Sequence, residues 1–301
     1  MSTLAPIALF VYRRLGHARQ TLEALQADPL ARDSDVIVFS DGARQPQHEA
    51  DVRAVRTLLK EKWAFRSVTL VERETNLGLA KSITDGIGRL CAEYGRVIAI
   101  EDDVVIAPGC LGFLNRALDR YVDEEQVYQV SAYSYPADFS ASGDAFFLPM
   151  ISCWAWATWA RAWRHFDSSL PGLDRLRADA TLRRRFNIDG AYDYYAMACQ
   201  QADGKIDSWG VCWQLNTFMG GGLVLYPRRS LAQNRGVDSS GTHGSGEARL
   251  QGVADGRWLE TGSIRFPDSV ALDQQAFSQV SNLLSSIRPG ITRRLIDWIR
   301  A

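Results

Sequence analysis

Glu101, Asp102 and Asp103 stand in a row at the end of the apolar run 97–100, in the segment RVIAIEDDVVIAPG. Like charges placed where a buried strand leaves a sheet repel one another and lose solvation. A divalent metal with its own anionic ligand is a natural compensation, and an ordinary solvated turn is the plain alternative. Pro108-Gly109 closes the loop, and Leu111, Leu114, Leu118 and Tyr121 recur beyond it at helical spacing. This predicts strand, acidic turn and helix in succession. Two later places carry polar chemistry. In KIDSWGVCWQ, Asp207 lies in an apolar stretch where burial would raise its pKa toward that of a useful base, but it could equally cap a helix. In QNRGVDSSGTHGSGE, residues 233–247, His243 sits in a polar run with four glycines, either as a surface residue or in a loop that closes over a ligand.

The elements around these residues read as alternating strands and helices. A strand at 7–12 ends at Arg13-Arg14, and Ala18, Leu22 and Leu25 mark a helix after it. A second strand, 36–40, ends at Asp41-Gly42. A third, 67–72, precedes NLGLAKSITDGIGRL, where Leu79, Ile83, Ile87 and Leu90 form a helical stripe with Lys81 near its first turn. The acidic segment is the fourth strand and 126–132 the fifth. Such alternation predicts an α/β fold with a mostly parallel central sheet covered by helices on both faces, and ligands bind such sheets beyond the carboxyl ends of the strands. Arg13, Asp41, Lys81 and the Glu101–Asp103 cluster would then converge on one crevice.

After about residue 136 the character changes. Six of the nine tryptophans fall between 154 and 213. Trp156, Trp159 and Trp163 share one face if the segment is helical, which makes either a packing ridge or an aromatic platform for a sugar ring. The chain looks helical again from about 271. The last segment, ITRRLIDWIRA, reads as a basic amphipathic helix that docks on the domain or on a membrane surface. The organisation expected is 1–135, 136–262 and a helical 263–301.

Composition excludes several classes. With 46% hydrophobic residues the chain supplies a core and is not disordered, and 34 basic against 35 acidic residues leave no extended surface for nucleic acid. The five cysteines are widely spaced without a CxxC pair, against a disulfide framework or a zinc site and in favour of a cytoplasmic setting. The N-terminus has the reverse of a signal peptide's order, and no run approaches the ~18 apolar residues of a membrane span.

Taken in order, IALFVYRR, VIVFSDG, NLGLAKSITDGI, VIAIEDDVVIAPG, WATWARAWRHF, IDSWGVCW and YPRRSLAQNRGVDSSGTHG resemble a glycosyltransferase of the GT-A fold, of the N-acetylglucosaminyltransferase I type and its bacterial relatives. The resemblance implies that Asp103 ligates a divalent metal, Mn2+ or Mg2+, that bridges the donor's diphosphate, with Glu101 and Asp102 supporting it and contacting the ribose. It implies that Arg13 and Asp41 lie near the nucleotide base, Lys81 near the phosphates, and His243 in a loop that contacts metal or phosphate. Asp207 matches the catalytic base; where the animal member has a further aspartate, this chain has Ser208. The reaction implied is inverting transfer of a hexose or N-acetylhexosamine from a nucleoside-diphosphate sugar, UDP-linked, to a glycan or a lipid-linked saccharide; peripheral membrane contact is instead the alternative offered by the basic amphipathic pattern of the C-terminal segment. Two rival readings share parts of the pattern. A sugar nucleotidyltransferase would place a glycine-rich basic loop after the first strand, where YRRLGHAR has a single glycine. A non-catalytic glycan-binding protein would use the tryptophans alone.

Overall fold

The computed structural model describes residues 3–236, 250 and 264–287. The chain runs β1 (Ile7–Val11), α1 (Leu15–Gln26), β2 (Asp35–Ser40), α2 (Glu49–Leu59), β3 (Ser67–Glu72), α3 (Leu79–Tyr94), β4 (Arg96–Glu101), β5 (Val104–Ile106), α4 (Cys110–Arg120) and β6 (Val127–Ser131). It continues through β7 (Ala145–Leu148), β8 (Trp156–Trp159), α5 (Ala160–Trp163), α6 (Leu173–Ala178), α7 (Ala180–Phe186), α8 (Tyr194–Ala202), α9 (Trp209–Met219), β9 (Leu223–Pro227), β10 (Ala232–Asn234) and α10 (Gln274–Ile287). Eight strands form one sheet in the order β3-β2-β1-β4-β8-β6-β9-β7. From the pairings, β1, β2, β3, β4, β6 and β9 run one way and β7 and β8 the other. The fold is therefore the α/β class expected, with a mostly parallel sheet and helices on both faces.

The sequence of β1, IALFV, explains its central place. Every residue in it is buried, and alternate side chains feed two different cores. Ile7, Leu9 and Val11 pack with α1 and α4, whereas Ala8 and Phe10 pack with α3. On that second face a Cβ on Gly86 would come within 2.7 Å of Phe10, so the glycine in α3 lets helix and sheet approach closely. The stripe on α3 holds for Ile83, Ile87 and Leu90, but Leu79 is 45% exposed because it lies in the helix's first turn, beyond the sheet edge.

Two expectations are corrected. Residues 156–159 are the strand β8 and only 160–163 are helical. Side chains three apart on a strand point to opposite faces. Trp156 thus joins Trp163, Trp209 and Trp213 in one core, and Trp159 joins the other, donating its indole N–H to Leu118 O at 3.0 Å. All five are buried, so they form core and not a sugar platform; ring pairs such as Trp156–Trp209 at 5.1 Å and Trp163–Trp213 at 5.0 Å each add about 1 kcal/mol beyond area burial. The second correction concerns the glycine-rich stretch. Its first residues form β10, antiparallel to the short strand β5 that follows the acidic turn. Hence the turn is not succeeded directly by a helix. His243, with the rest of 237–247, and the basic segment 291–301 lie outside the described residues. Among the described residues no helix is long and apolar enough to cross a membrane.

Behind the acidic turn, Asp28 holds the start of α4. One of its oxygens accepts the Leu30 N–H at 3.0 Å and the other accepts those of Gly109 at 2.8 Å and Leu111 at 3.2 Å. Burial raises its carboxyl pKa, and these N–H donors oppose the shift. Asp28→Asn turns an amide NH2 toward backbone donors whichever way it is placed. The expected cost is about 1–3 kcal/mol of stability, the penalty of buried hydrogen-bonding groups left unmatched, read as a lower midpoint in urea unfolding.

Candidate active site

The parallel strands deliver their carboxyl ends to one edge of the sheet: Val11 of β1, Ser40 of β2, Glu101 of β4 and Ser131 of β6. A continuous set of contacts ties the polar residues there together. Asp41, directly after β2, donates its N–H to Val11 O at 3.1 Å, and the next residue, Tyr12, donates its N–H to Asp102 Oδ2 at 3.2 Å. Thr21 of α1 donates its hydroxyl to Asp102 O at 2.8 Å. On the far side, the Arg235 N–H reaches Asp103 O at 2.6 Å, just beyond β10.

Asp102 and Asp103 are both buried, and the charge beside them is Arg14. One guanidinium nitrogen, Nη2, donates to Asp102 Oδ1 at 2.5 Å and to Asp103 Oδ2 at 2.8 Å. Burial pushes the Asp102 carboxyl up while Arg14 opposes it and Asp103 adds to it. For Arg14, burial works against the charge, but the two aspartates outweigh it and raise the pKa. The compensating cation of the acidic turn is thus supplied by the chain itself, at a residue the sequence reading passed over. Its neighbour Arg13 is exposed and reaches Asp51 of α2 at 3.8 Å, on the outer surface of the molecule. The doublet at the end of β1 was legible; which arginine turns back to the carboxylates depends on the course of the chain into α1. Glu101 is half-buried at the end of β4.

Asp41 is buried, and its carboxylate is engaged structurally. It accepts N–H groups from Gly42 at 3.1 Å, Leu77 at 2.9 Å and Gly78 at 3.0 Å, and so fixes the loop that leads into α3. Gly78 caps that helix with φ 79°, a conformation that favours glycine. Lys81 is exposed on the first turn. A Cβ on Gly78 would lie 3.8 Å from Asp207 Oδ2, which places the Asp207 carboxylate against the same loop. Asp207 is exposed, against the burial expected of it. It does not cap α9 either; Ser208 does, accepting the Val211 N–H at 3.3 Å. The structure therefore gathers Asp41, Asp102, Asp103 and Arg14 around the strand ends, with Asp207 reaching the rim from the start of α9.

No family model matches the chain, and no curated protein does. Solved structures resemble parts of it. One is the mannosyltransferase PcManGT from Pyrobaculum calidifontis, solved with GDP-Man and Mn2+, at 16% identity over 52% of this chain and 44% of that one, with a TM-score of 0.37. Another is TarS of S. aureus, at 17% identity over 42% of this chain and 20% of that one, with a TM-score of 0.29. The chain spans less than half the length of either structure. Neither match singles out the N-acetylglucosaminyltransferase I type.

Among the described residues no three His, Cys, Asp or Glu side chains gather as a metal-holding group. A metal that is held chiefly by a substrate's phosphates needs only one or two carboxylates from the protein. The turn meets that smaller demand. Asp103 Oδ1 is buried and without a hydrogen bond, the one carboxylate oxygen in that condition among the described residues, and a hard oxygen donor suits Mg2+ or Mn2+. On the other flank, Tyr135, Trp154 and Tyr192 are half-buried near the same sheet edge, where β6 ends and β8 begins. Tyr133 links two of them, with ring centroids 5.2 Å from Tyr135 and 4.7 Å from Trp154. Burial raises the Tyr135 phenol pKa, and Tyr192 adds to the shift. Cys153, beside Trp154, lies 3.1 Å from the position of a Cβ on Gly210, so this aromatic wall adjoins the first turn of α9 and Asp207.

Proposed function

We propose that this chain is a metal-dependent glycosyltransferase that moves a hexose or N-acetylhexosamine from a UDP-linked sugar to a hydroxyl of a glycan or lipid-linked saccharide, with inversion. The observation that carries the reading is the buried, unpartnered Asp103 Oδ1 at the carboxyl edge of a mostly parallel sheet, with Asp207 at the rim of the same edge. Asp103 would hold the metal, which when bound stabilises the negative charge on the departing diphosphate. Arg14, itself held by Asp102, keeps the Asp103 carboxylate in place. Asp207, exposed and next to the aromatic wall, would accept the proton of the attacking acceptor hydroxyl. Tyr135, Trp154 and Tyr192, half-buried where the other named tryptophans are buried, would supply apolar contact to an acceptor sugar. In this reading residues 1–135 bind the donor, 136–262 bind the acceptor and supply the base, and 263–301 form the C-terminal segment.

The test is a thermal-shift screen of UDP- and GDP-sugars with and without Mn2+, followed by NMR of the product. A rise in Tm that needs both nucleotide sugar and metal, then a product of inverted anomeric configuration, is the expected result. No shift with any nucleotide sugar refutes the transferase reading, and a retained configuration refutes the role given to Asp207.

A further inference from the structure

The acidic turn has a resident cation, and that cation stands where it opposes a second one. Arg14 Nη2 bridges Asp102 Oδ1 and Asp103 Oδ2, while the unpartnered oxygen is the other one of the same Asp103 carboxylate. The guanidinium is inward, with its side chain 23% exposed, and the two aspartates are more enclosed still at 6% and 11%. Charges so close and so poorly screened act strongly on each other. A divalent ion on Asp103 Oδ1 would share one carboxylate with a full positive charge, and Arg14 cannot relieve this by losing its proton. The same guanidinium is a planar fork suited to phosphate oxygens. A nucleoside diphosphate arriving with the metal brings the negative charge that the crowded cations lack.

We propose that Arg14 makes the site select the metal–diphosphate pair over the free metal ion: it offsets part of the charge of Asp102 and Asp103 in the absence of ligand and shares its charge with the diphosphate when the donor enters. This rests on the transferase reading and adds to it an order of preference among ligands. Arg14 acts here as a positioning and charge-balancing residue. By linkage, the diphosphate must strengthen metal binding by the same factor as metal strengthens diphosphate binding.

The experiment uses Mn2+ alone and Mn2+ with UDP, following the electron paramagnetic resonance signal of free Mn2+, in the wild-type chain and in Arg14→Gln and Arg14→Lys. In the wild type, UDP is expected to tighten Mn2+ binding at least 100-fold. Arg14→Gln is expected to bind Mn2+ alone at least tenfold more tightly and to lose at least tenfold of the UDP effect, whereas Arg14→Lys, which keeps the charge, retains most of the coupling. A residue that merely braced the turn would give the opposite sign, with weaker Mn2+ binding after its removal. The proposal is overturned if Arg14→Gln binds Mn2+ no more tightly than the wild type. It is overturned equally, whether or not that variant folds, if the wild type binds Mn2+ as well without UDP as with it. Wild-type protein that takes up neither Mn2+ nor UDP nor GDP, together or apart, refutes the transferase reading itself, a result distinct from either of these.

Discussion

Asp207→Asn is expected to lower kcat about 10³-fold, inside the 10²–10⁴ range that a positioned general base contributes, while the donor's affinity and the melting temperature stay near wild type. The structure separates these effects. Asparagine keeps the shape of the side chain but cannot take up the acceptor's proton. Because Asp207 is exposed and Ser208 is the residue that caps α9, the substitution removes neither core packing nor a helix cap. The complementary variant is Ser208→Ala, which removes the hydrogen bond to the Val211 N–H and is expected to cost about 1 kcal/mol of stability without a comparable loss of kcat. Steady-state rates and urea unfolding of both variants check the pair. If Asp207→Asn keeps full activity, the base lies elsewhere, whatever the fate of the metal site.

The parts of this molecule legible in the sequence are those governed by local pattern. Strand β3 has the bounds its alternation with α3 implies, and the apolar runs at β1, β2 and β4 mark the strands whose ends build the site. Chemistry concentrated in one short segment was legible as well: three carboxylates closing a buried strand have few uses, and two of them do turn out buried with a cation. What the pattern did not reveal depends on contacts distant in the chain. WATWARAW has apolar residues at helical spacing, yet pairing with β4 and β6 draws its first half into the sheet and splits Trp156 from Trp159. The pairing of β5 with β10 joins segments over a hundred residues apart. Arg13 and Arg14 are chemically identical, and only the way α1 packs under the turn decides between them. Asp207 looked buried because its neighbours Trp209 and Trp213 are; the carboxylate precedes the helix and stays at the rim.

Gly236→Ala tests the join between the acidic turn and the strand that leads away from it. Gly236 follows β10 and is buried, with its N–H donated to Asn234 Oδ1 at 2.6 Å. A Cβ at this position would overlap Asp103 Oδ2 and lie 2.9 Å from Arg14 Nη1. Neither partner has an easy retreat. The carboxylate belongs to a residue whose carbonyl is held by the Arg235 N–H, and the guanidinium is tied to Asp102 as well. One methyl group must therefore displace either Asp103 or the segment after β10. A shift of about 1 Å in a group that positions reacting atoms costs on the order of 100-fold in rate. Gly236→Ala is accordingly expected to lower kcat/KM for the nucleotide sugar by about 100-fold or more and to weaken Mn2+ binding in the presence of UDP. The wider fold should tolerate it, because among the described residues β10 pairs with β5 alone, in a sheet of two strands apart from the main one. Circular dichroism near that of the wild type alongside the lost Mn2+ binding is the result that supports the geometry. Unchanged Mn2+ and UDP affinities would mean that the Asp103 carboxylate as placed here is not the metal ligand.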